Sequence, residues 1–191
     1  DDVESRGLGD VYKRQALEEK KTVYCVSKKP EYIYPEQVVR RQITLGASSF
    51  LKIAEGCSYK CGYCVIPRLR GSYKSRPMEN ILQEAKELVS KGVNEIVLIA
   101  QDTTAYGKDI YGRYALAELF EKLNKIEDLQ WIRVMYKYPS TFSDELIEAF
   151  ASLEKVVKYI DIPLQHSHPD MLKAMYRPVL DYEELIEKMR R

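Results

Sequence analysis

Three cysteines fall close together in the stretch GCSYKCGYC, residues 56–64: Cys57, Cys61 and Cys64. Thiols so spaced are metal ligands or redox partners. A closed structural zinc site takes four protein ligands, and a catalytic zinc takes three plus water. A four-iron cluster is usually held by four cysteines. Three thiolates leave one metal position open, and an open position suits a bound substrate or cofactor. Zinc would need a fourth ligand from Cys25, His166 or His168. Those histidines are not at zinc-finger spacing with the cysteines. Their ordinary reading is helix entry, in which Ser167 or His168 caps, Pro169 takes the first turn and Asp170 favours the positive helix end. A redox dithiol, or plain free thiols, are the remaining alternatives. Cys25 reads as an unligated cysteine.

A 4Fe–4S cluster on three thiolates accounts for the missing ligand. Its fourth iron is free for chelation by an amino group and a carboxylate, which the methionine end of S-adenosylmethionine offers. One electron passed to the adjacent sulfonium breaks a carbon–sulfur bond. The products are methionine and a 5′-deoxyadenosyl radical, which takes hydrogen from an unactivated carbon. The cofactors carry that chemistry, and the protein positions and tunes them.

The elements that must hold such a site are legible from residue 50 onward. SFLKIAEG is a strand ending at the cysteines. MENILQEAKELVSKG places Ile81, Leu82, Ala85, Leu88 and Val89 on one helical face. Pro77 suits its first turn and Gly92 its stop. NEIVLIAQD is an apolar run of the kind buried in parallel sheets. YALAELFEKLNKI, QWIRVMYKYP, TFSDELIEAFASLE and KYIDIPLQ then read as helix, strand, helix and strand, and HPDMLKAMYR and DYEELIEKMRR as helices. This alternation predicts an α/β fold with βαβ units and a parallel sheet. The polar stretches GCSYKCGYC, AQDTTAYG, YPST and PLQHSH each follow a strand, so they should converge on one mouth of a partial barrel. Met135, Met171 and Met175 read as core packing. Arg68, Arg70, Lys74 and Arg76 form a basic cluster that could steer an acidic group or lower a thiolate pKa, although solvated loop charge is the commoner meaning.

Bulk properties set the frame. The chain has 191 residues, 31% of them charged, with 30 basic and 29 acidic side chains and a formal net charge of +1. Nothing here points to a dominant nucleic-acid or membrane surface. No apolar run approaches the ~20 residues that span a bilayer, and four cysteines with three clustered fit metal binding in a reducing cytoplasm better than disulfides. Residues 1–15 read as a non-native or disordered terminus, 16–46 as a linker from an N-terminal domain, and 47–191 as the site-bearing domain, truncated at its C-terminus.

CSYKCGYC resembles the C-x-x-x-C-x-aromatic-C signature of radical S-adenosylmethionine enzymes. The resemblance implies a partial parallel (β/α)6 barrel, of which about four βα units fit in this chain. It implies a 4Fe–4S cluster on Cys57, Cys61 and Cys64, with Tyr63 near the adenine. It also implies cofactor contact by Gln101 and Asp102, and less directly by Gln165. FLKIAEGCSYKCGYCVIPRLRGSYKSRP is similar to the radical domain of methylthiotransferases. AQDTTAYGKD and YIDIPLQHSHPDMLKAMYRP resemble the branch that modifies the β carbon of an aspartate in ribosomal protein S-12. Branches acting on tRNA show GQNVN-like and QSGS-like stretches where this chain has AQDTT and QHSH. The resemblance implies S-adenosylmethionine as source of both radical and methyl group, and a second 4Fe–4S cluster in an N-terminal domain. The partners implied are ribosomal protein S-12 and an electron donor protein, with no membrane, and nucleic acid only if the substrate is tRNA. The piece alone is expected to be inactive in methylthiolation. A metal-stabilised binding module without radical chemistry is the alternative of another class.

Overall fold

The computed structural model describes residues 17–20 and 46–190. Cys25, the terminus read over 1–15 and most of the linker read over 16–46 lie outside the described residues. Along the chain, β1 (Ser48–Lys52) leads to the two-residue β2 (Ala54–Glu55), α1 (Ile66–Arg70) and β3 (Lys74–Ser75). Next come α2 (Met78–Ser90), β4 (Glu95–Ile99), α3 (Lys108–Tyr111), α4 (Leu116–Asn124) and β5 (Trp131–Val134). A 3-10 turn (Pro139–Thr141), α5 (Asp144–Ser152), α6 (Pro169–Ala174) and α7 (Tyr182–Arg190) complete the order.

The central sheet is parallel, in the order β1–β4–β5. Alternation along the strands sends Leu51, Ile96, Leu98, Ile132 and Val134 to one face, where all five are buried. Helices α2 and α4 cover that face: Ile81, Ala85 and Leu88 of α2 and Leu119, Phe120 and Leu123 of α4 join the same cluster. On the opposite face Phe50, Val97 and Arg133 stand in register. Val97 is buried there, whereas Phe50 is 59% exposed. β2 and β3 form a separate antiparallel pair that brackets the cysteine loop.

The helix ends follow local chemistry. Gly92 stops α2 at φ +92°, with its N–H donating to Val89 O at 2.9 Å and the Val93 N–H to Leu88 O at 3.2 Å, a Schellman arrangement. Pro77 sits at the N-cap position, one residue before the expected first turn. Ser143 Oγ accepts from the Leu146 N–H at 3.2 Å and caps α5. His168 caps α6, accepting from the Asp170 N–H at 3.2 Å, and Pro169 opens that helix.

Two expectations about elements differ from the structure. The fourth strand, expected over KYIDIPLQ, does not join the sheet as a strand. The chain meets β5 just before that segment, in a single bridge of Val156 with Ile132, supported by bonds from Ile132 N to Lys155 O and from Val157 N to Ile132 O. Residues 158–165 then run on with no ladder to β5. Met135, Met171 and Met175, expected in the core, are outside the central cluster, which instead contains Met78, and Met171 is 45% exposed on α6.

Gly56 marks the entry to the cysteine loop at φ +79°, and a Cβ there would lie 2.3 Å from Ser72 O. Gly92 has positive φ too, but open space around it. Gly56→Ala should therefore cost about 3 kcal/mol and Gly92→Ala roughly 1, since only the first adds a backbone clash to the torsional strain. Urea unfolding of both variants checks this, and equal losses would show that the close approach at Gly56 is relaxed at no cost.

Candidate cluster and cofactor site

The cysteine loop is shaped by backbone bonds rather than by regular structure. Cys57 N–H donates to Gly71 O at 3.1 Å, Cys64 N–H to Cys61 O at 3.0 Å and Gly62 N–H to Met175 O at 2.9 Å. The Tyr73 N–H donates to Ser58 Oγ at 3.1 Å. Cys57, Cys61 and Cys64 are free thiols, each partly exposed. All three line one cavity of about 550 Å³ at the C-terminal ends of the strands, a size typical of cofactor pockets. Among the described residues no three Cys, His, Asp or Glu side chains form the ligand set of a single ion. Three thiols lining one cavity suit a cluster, in which each sulfur binds a different iron.

Gln101 and Asp102 follow β4 and line the same cavity. Asp102 Oδ1 accepts from the Thr104 N–H at 2.9 Å and from its hydroxyl at 2.5 Å. Gln101 Nε2 donates to Glu55 at 3.2 Å. Asp102 Oδ2 and Gln101 Oε1 are buried without a hydrogen-bond partner among the described residues. Orphaned buried acceptors are costly and call for a donor from a ligand. Burial pushes the Asp102 carboxyl above the usual range, opposed first by the two Thr104 bonds and then by the Tyr59 side chain and the Ala105 backbone. Burial also pushes the Cys57 thiol up; a backbone bond at Tyr59 opposes this, and the Asp102 charge adds to it. A bound metal would reverse that balance, because a coordinating thiol is deprotonated. Three free thiols beside two unpartnered acceptors thus fit a thiolate-bound cluster next to a cofactor with an amino group.

Tyr63 stands at the rim, 55% exposed. Gln165 takes φ +71°, is exposed and lies outside the cavity lining. His166 and His168 also lie outside the lining and bond to local backbone: the His168 N–H donates to His166 Nδ1 at 2.9 Å. None of Arg68, Arg70, Lys74 and Arg76 lines the cavity. Arg76 is buried, 2.8 Å from Glu84, and its guanidinium donates to Lys52 O at 2.7 Å, so it ties α2 to β1.

Several lining residues were not anticipated. Tyr59 and Tyr138 stack at 3.8 Å between ring centroids. Arg177 lies over the Tyr138 ring at 4.2 Å. Lys137 is 1% exposed and donates to Asp161 Oδ1 at 2.7 Å and Val134 O at 2.6 Å. Burial lowers the Lys137 pKa, and Asp161 opposes that shift. Asp161 Oδ2 accepts from the Tyr136 N–H at 2.9 Å. The pair thereby pins the β5 end against the segment after Val156. The sequence signal was partial: Tyr59 lies in the cysteine stretch and Tyr138 opens YPST, whereas no motif singled out Lys137 or Arg177.

Comparison with known proteins agrees with this geometry. The chain is 52% identical over 161 residues to "Ribosomal protein uS12 methylthiotransferase RimO" of Desulforamulus reducens, covering 83% of this chain and 36% of that protein. The protein of the same name from Thermoanaerobacter sp. is 47% identical over 190 residues, covering 96% of this chain and 43% of the relative. The chain thus spans about two fifths of the length of these relatives. The fold also matches a radical S-adenosylmethionine methyltransferase, TsrM, from Kitasatospora setae, with TM-score 0.61 and 17% identity over 86% of this chain and 33% of that one. Residues 51–191, from β1 through the cysteine loop and every cavity-lining side chain, match the family described as "Radical SAM superfamily". On that match, and on a parallel α/β sheet whose strand ends gather three free cysteines, the chain belongs to the radical SAM superfamily.

Proposed function

We propose that this chain is the radical domain of a methylthiotransferase acting on the β carbon of an aspartate in ribosomal protein S-12. The observation that carries the reading is one cavity lined by Cys57, Cys61 and Cys64 together with the unpartnered acceptors of Gln101 and Asp102. The identity of about half its residues with proteins named for uS12 methylthiotransfer supports the choice of substrate. In this reading the three thiolates hold a 4Fe–4S cluster with one open iron, and S-adenosylmethionine binds beside it. When bound, the cluster supplies one electron to the sulfonium, opening its carbon–sulfur bond. The chain's own residues do the positioning. Gln101 Oε1 and Asp102 Oδ2 accept from the amino group of the methionine end, and Tyr63 covers the adenine side. The stacked Tyr59 and Tyr138 rings limit water at the cavity wall. A second 4Fe–4S cluster, tied to sulfur delivery, belongs to residues other than those of this cavity. Electrons come from a separate donor protein.

Replacing Gln101 by Ala and Asp102 by Asn together should weaken S-adenosylmethionine binding about tenfold or more, the value of charge-assisted hydrogen bonds. Iron content should stay unchanged. Equilibrium dialysis with the reconstituted chain checks this, and equal affinity in both forms would remove the two residues from the cofactor site. Mass spectrometry of ribosomal protein S-12 and of tRNA, from cells with and without the gene, tests the substrate. Loss of the methylthio group from S-12 alone is expected; its loss from tRNA instead would assign the enzyme to the tRNA-modifying branch.

A further inference from the structure

Cys61 differs from the other two cysteines in what surrounds its sulfur. The Arg177 guanidinium and the Tyr138 hydroxyl each lie 4.0 Å from Cys61 Sγ. Arg177 is far away in sequence, just beyond α6, yet it is held in place from several sides. Its Nη2 donates to Pro163 O at 2.6 Å, its backbone N–H to Leu172 O at 2.8 Å, and its guanidinium carbon lies over the Tyr138 ring, 4.2 Å from the centroid. The turn that carries it is latched to the cysteine loop: Gly62 N–H donates to Met175 O at 2.9 Å, and a Cβ on Gly62 would meet the Tyr176 ring at 3.0 Å. Arg177 Nε is buried with no partner among the described residues, which leaves one N–H for an anionic neighbour.

We propose that Arg177, supported by Tyr138, is a positioning residue that holds the Cys61 thiolate and sets the reduction potential of the cluster bound there. This rests on the reading that Cys57, Cys61 and Cys64 carry a 4Fe–4S cluster. The electrostatic reason is direct. One-electron reduction takes the cluster core from 2+ to 1+ and involves no bond change in the protein. The site gains one negative charge, and a fixed guanidinium in a partly buried cavity favours the more negative state. Arg suits the role because it stays charged, lies flat on an aromatic ring and donates in several directions at once. Loss of Arg177 should make the cluster harder to reduce, without removing a ligand.

The test is a potentiometric titration of the anaerobically reconstituted chain, followed by electron paramagnetic resonance. Dithionite is the reductant: its SO2 radical anion gives one electron and leaves as sulfite after hydration. Arg177→Met should keep four irons and four sulfides per chain while the reduction equilibrium falls about tenfold, equivalent to about 59 mV for one electron. Arg177→Lys should recover most of the shift. Tyr138→Phe, which keeps the ring under the guanidinium but removes the hydroxyl, should move the potential the same way by a smaller factor. An unchanged potential in Arg177→Met with full iron content overturns the proposal. So does loss of iron in both Arg177→Met and Arg177→Lys with no shift in Tyr138→Phe, since the arginine would then only hold the fold. Absence of iron and sulfide in the unsubstituted chain would instead refute the cluster reading itself.

Discussion

Anaerobic reconstitution of Cys57→Ala, Cys61→Ala or Cys64→Ala should in each case fail to give the four-iron, four-sulfide content expected of the unsubstituted chain. Each thiol lines the same cavity, and among the described residues no other Cys, and no His, lines it. A cluster on three thiolates has no spare protein ligand, so losing one sulfur should remove nearly all bound iron rather than a third of it. Cys25→Ala should retain full content, because Cys25 is read as an unligated cysteine. Iron and sulfide assays with the visible absorption of the cluster check the series. Full content in Cys57→Ala would break the ligand assignment, and equal content in all four variants would mark the iron as nonspecific.

The second large effect concerns stability. Asp161→Asn should destabilise the chain by about 3 kcal/mol, the cost of leaving a buried ammonium without its counter-charge. Lys137 is that ammonium; with Asp161 neutralised, the Val134 carbonyl would be its remaining strong acceptor among the contacts found. Lys137→Met should cost less, since Asp161 is partly solvated and keeps the Tyr136 N–H. Joining the two substitutions should restore part of the loss, because no charge is then stranded. Urea unfolding of the two single variants and the double measures the coupling. An Asp161→Asn variant within about 0.5 kcal/mol of the parent would contradict the pairing.

The parts of this molecule legible in its sequence are those fixed by local pattern. Helix α2 follows from the spacing of Ile81, Ala85 and Leu88, and its stop from the conformational freedom of Gly92. β4 follows from an apolar run that is buried on both faces. The gathering of Cys57, Cys61, Cys64, Gln101 and Asp102 followed from topology: each lies just past a strand, and parallel strands end on one side. What pattern could not show depends on distant partners. Lys137 in YKYP carries no pattern signal, and its burial is matched by Asp161, which meets it across the sheet end. Arg177 is singled out by no motif and reaches Cys61 through the latch at Gly62. KYIDIPLQ has the composition of a strand, but pairing depends on a distant partner, and the one bridge to β5 falls at Val156, before this segment begins. Arg76 looked like part of a solvated cluster and instead meets Glu84 in the interior. Composition does not distinguish a loop charge from an interior one.

The most direct test of the central claim is electron paramagnetic resonance of the reduced, reconstituted chain with and without S-adenosylmethionine. Three thiolates leave one iron open, and an amino and a carboxylate group binding there must alter the electronic environment of the cluster. The predicted result is a four-iron spectrum whose g values shift when the cofactor is added, with a smaller response at the same concentration in the variant carrying Gln101→Ala and Asp102→Asn. An identical spectrum with and without saturating cofactor would mean that the open position does not bind it, and would contradict the assignment of this cavity as a radical S-adenosylmethionine site.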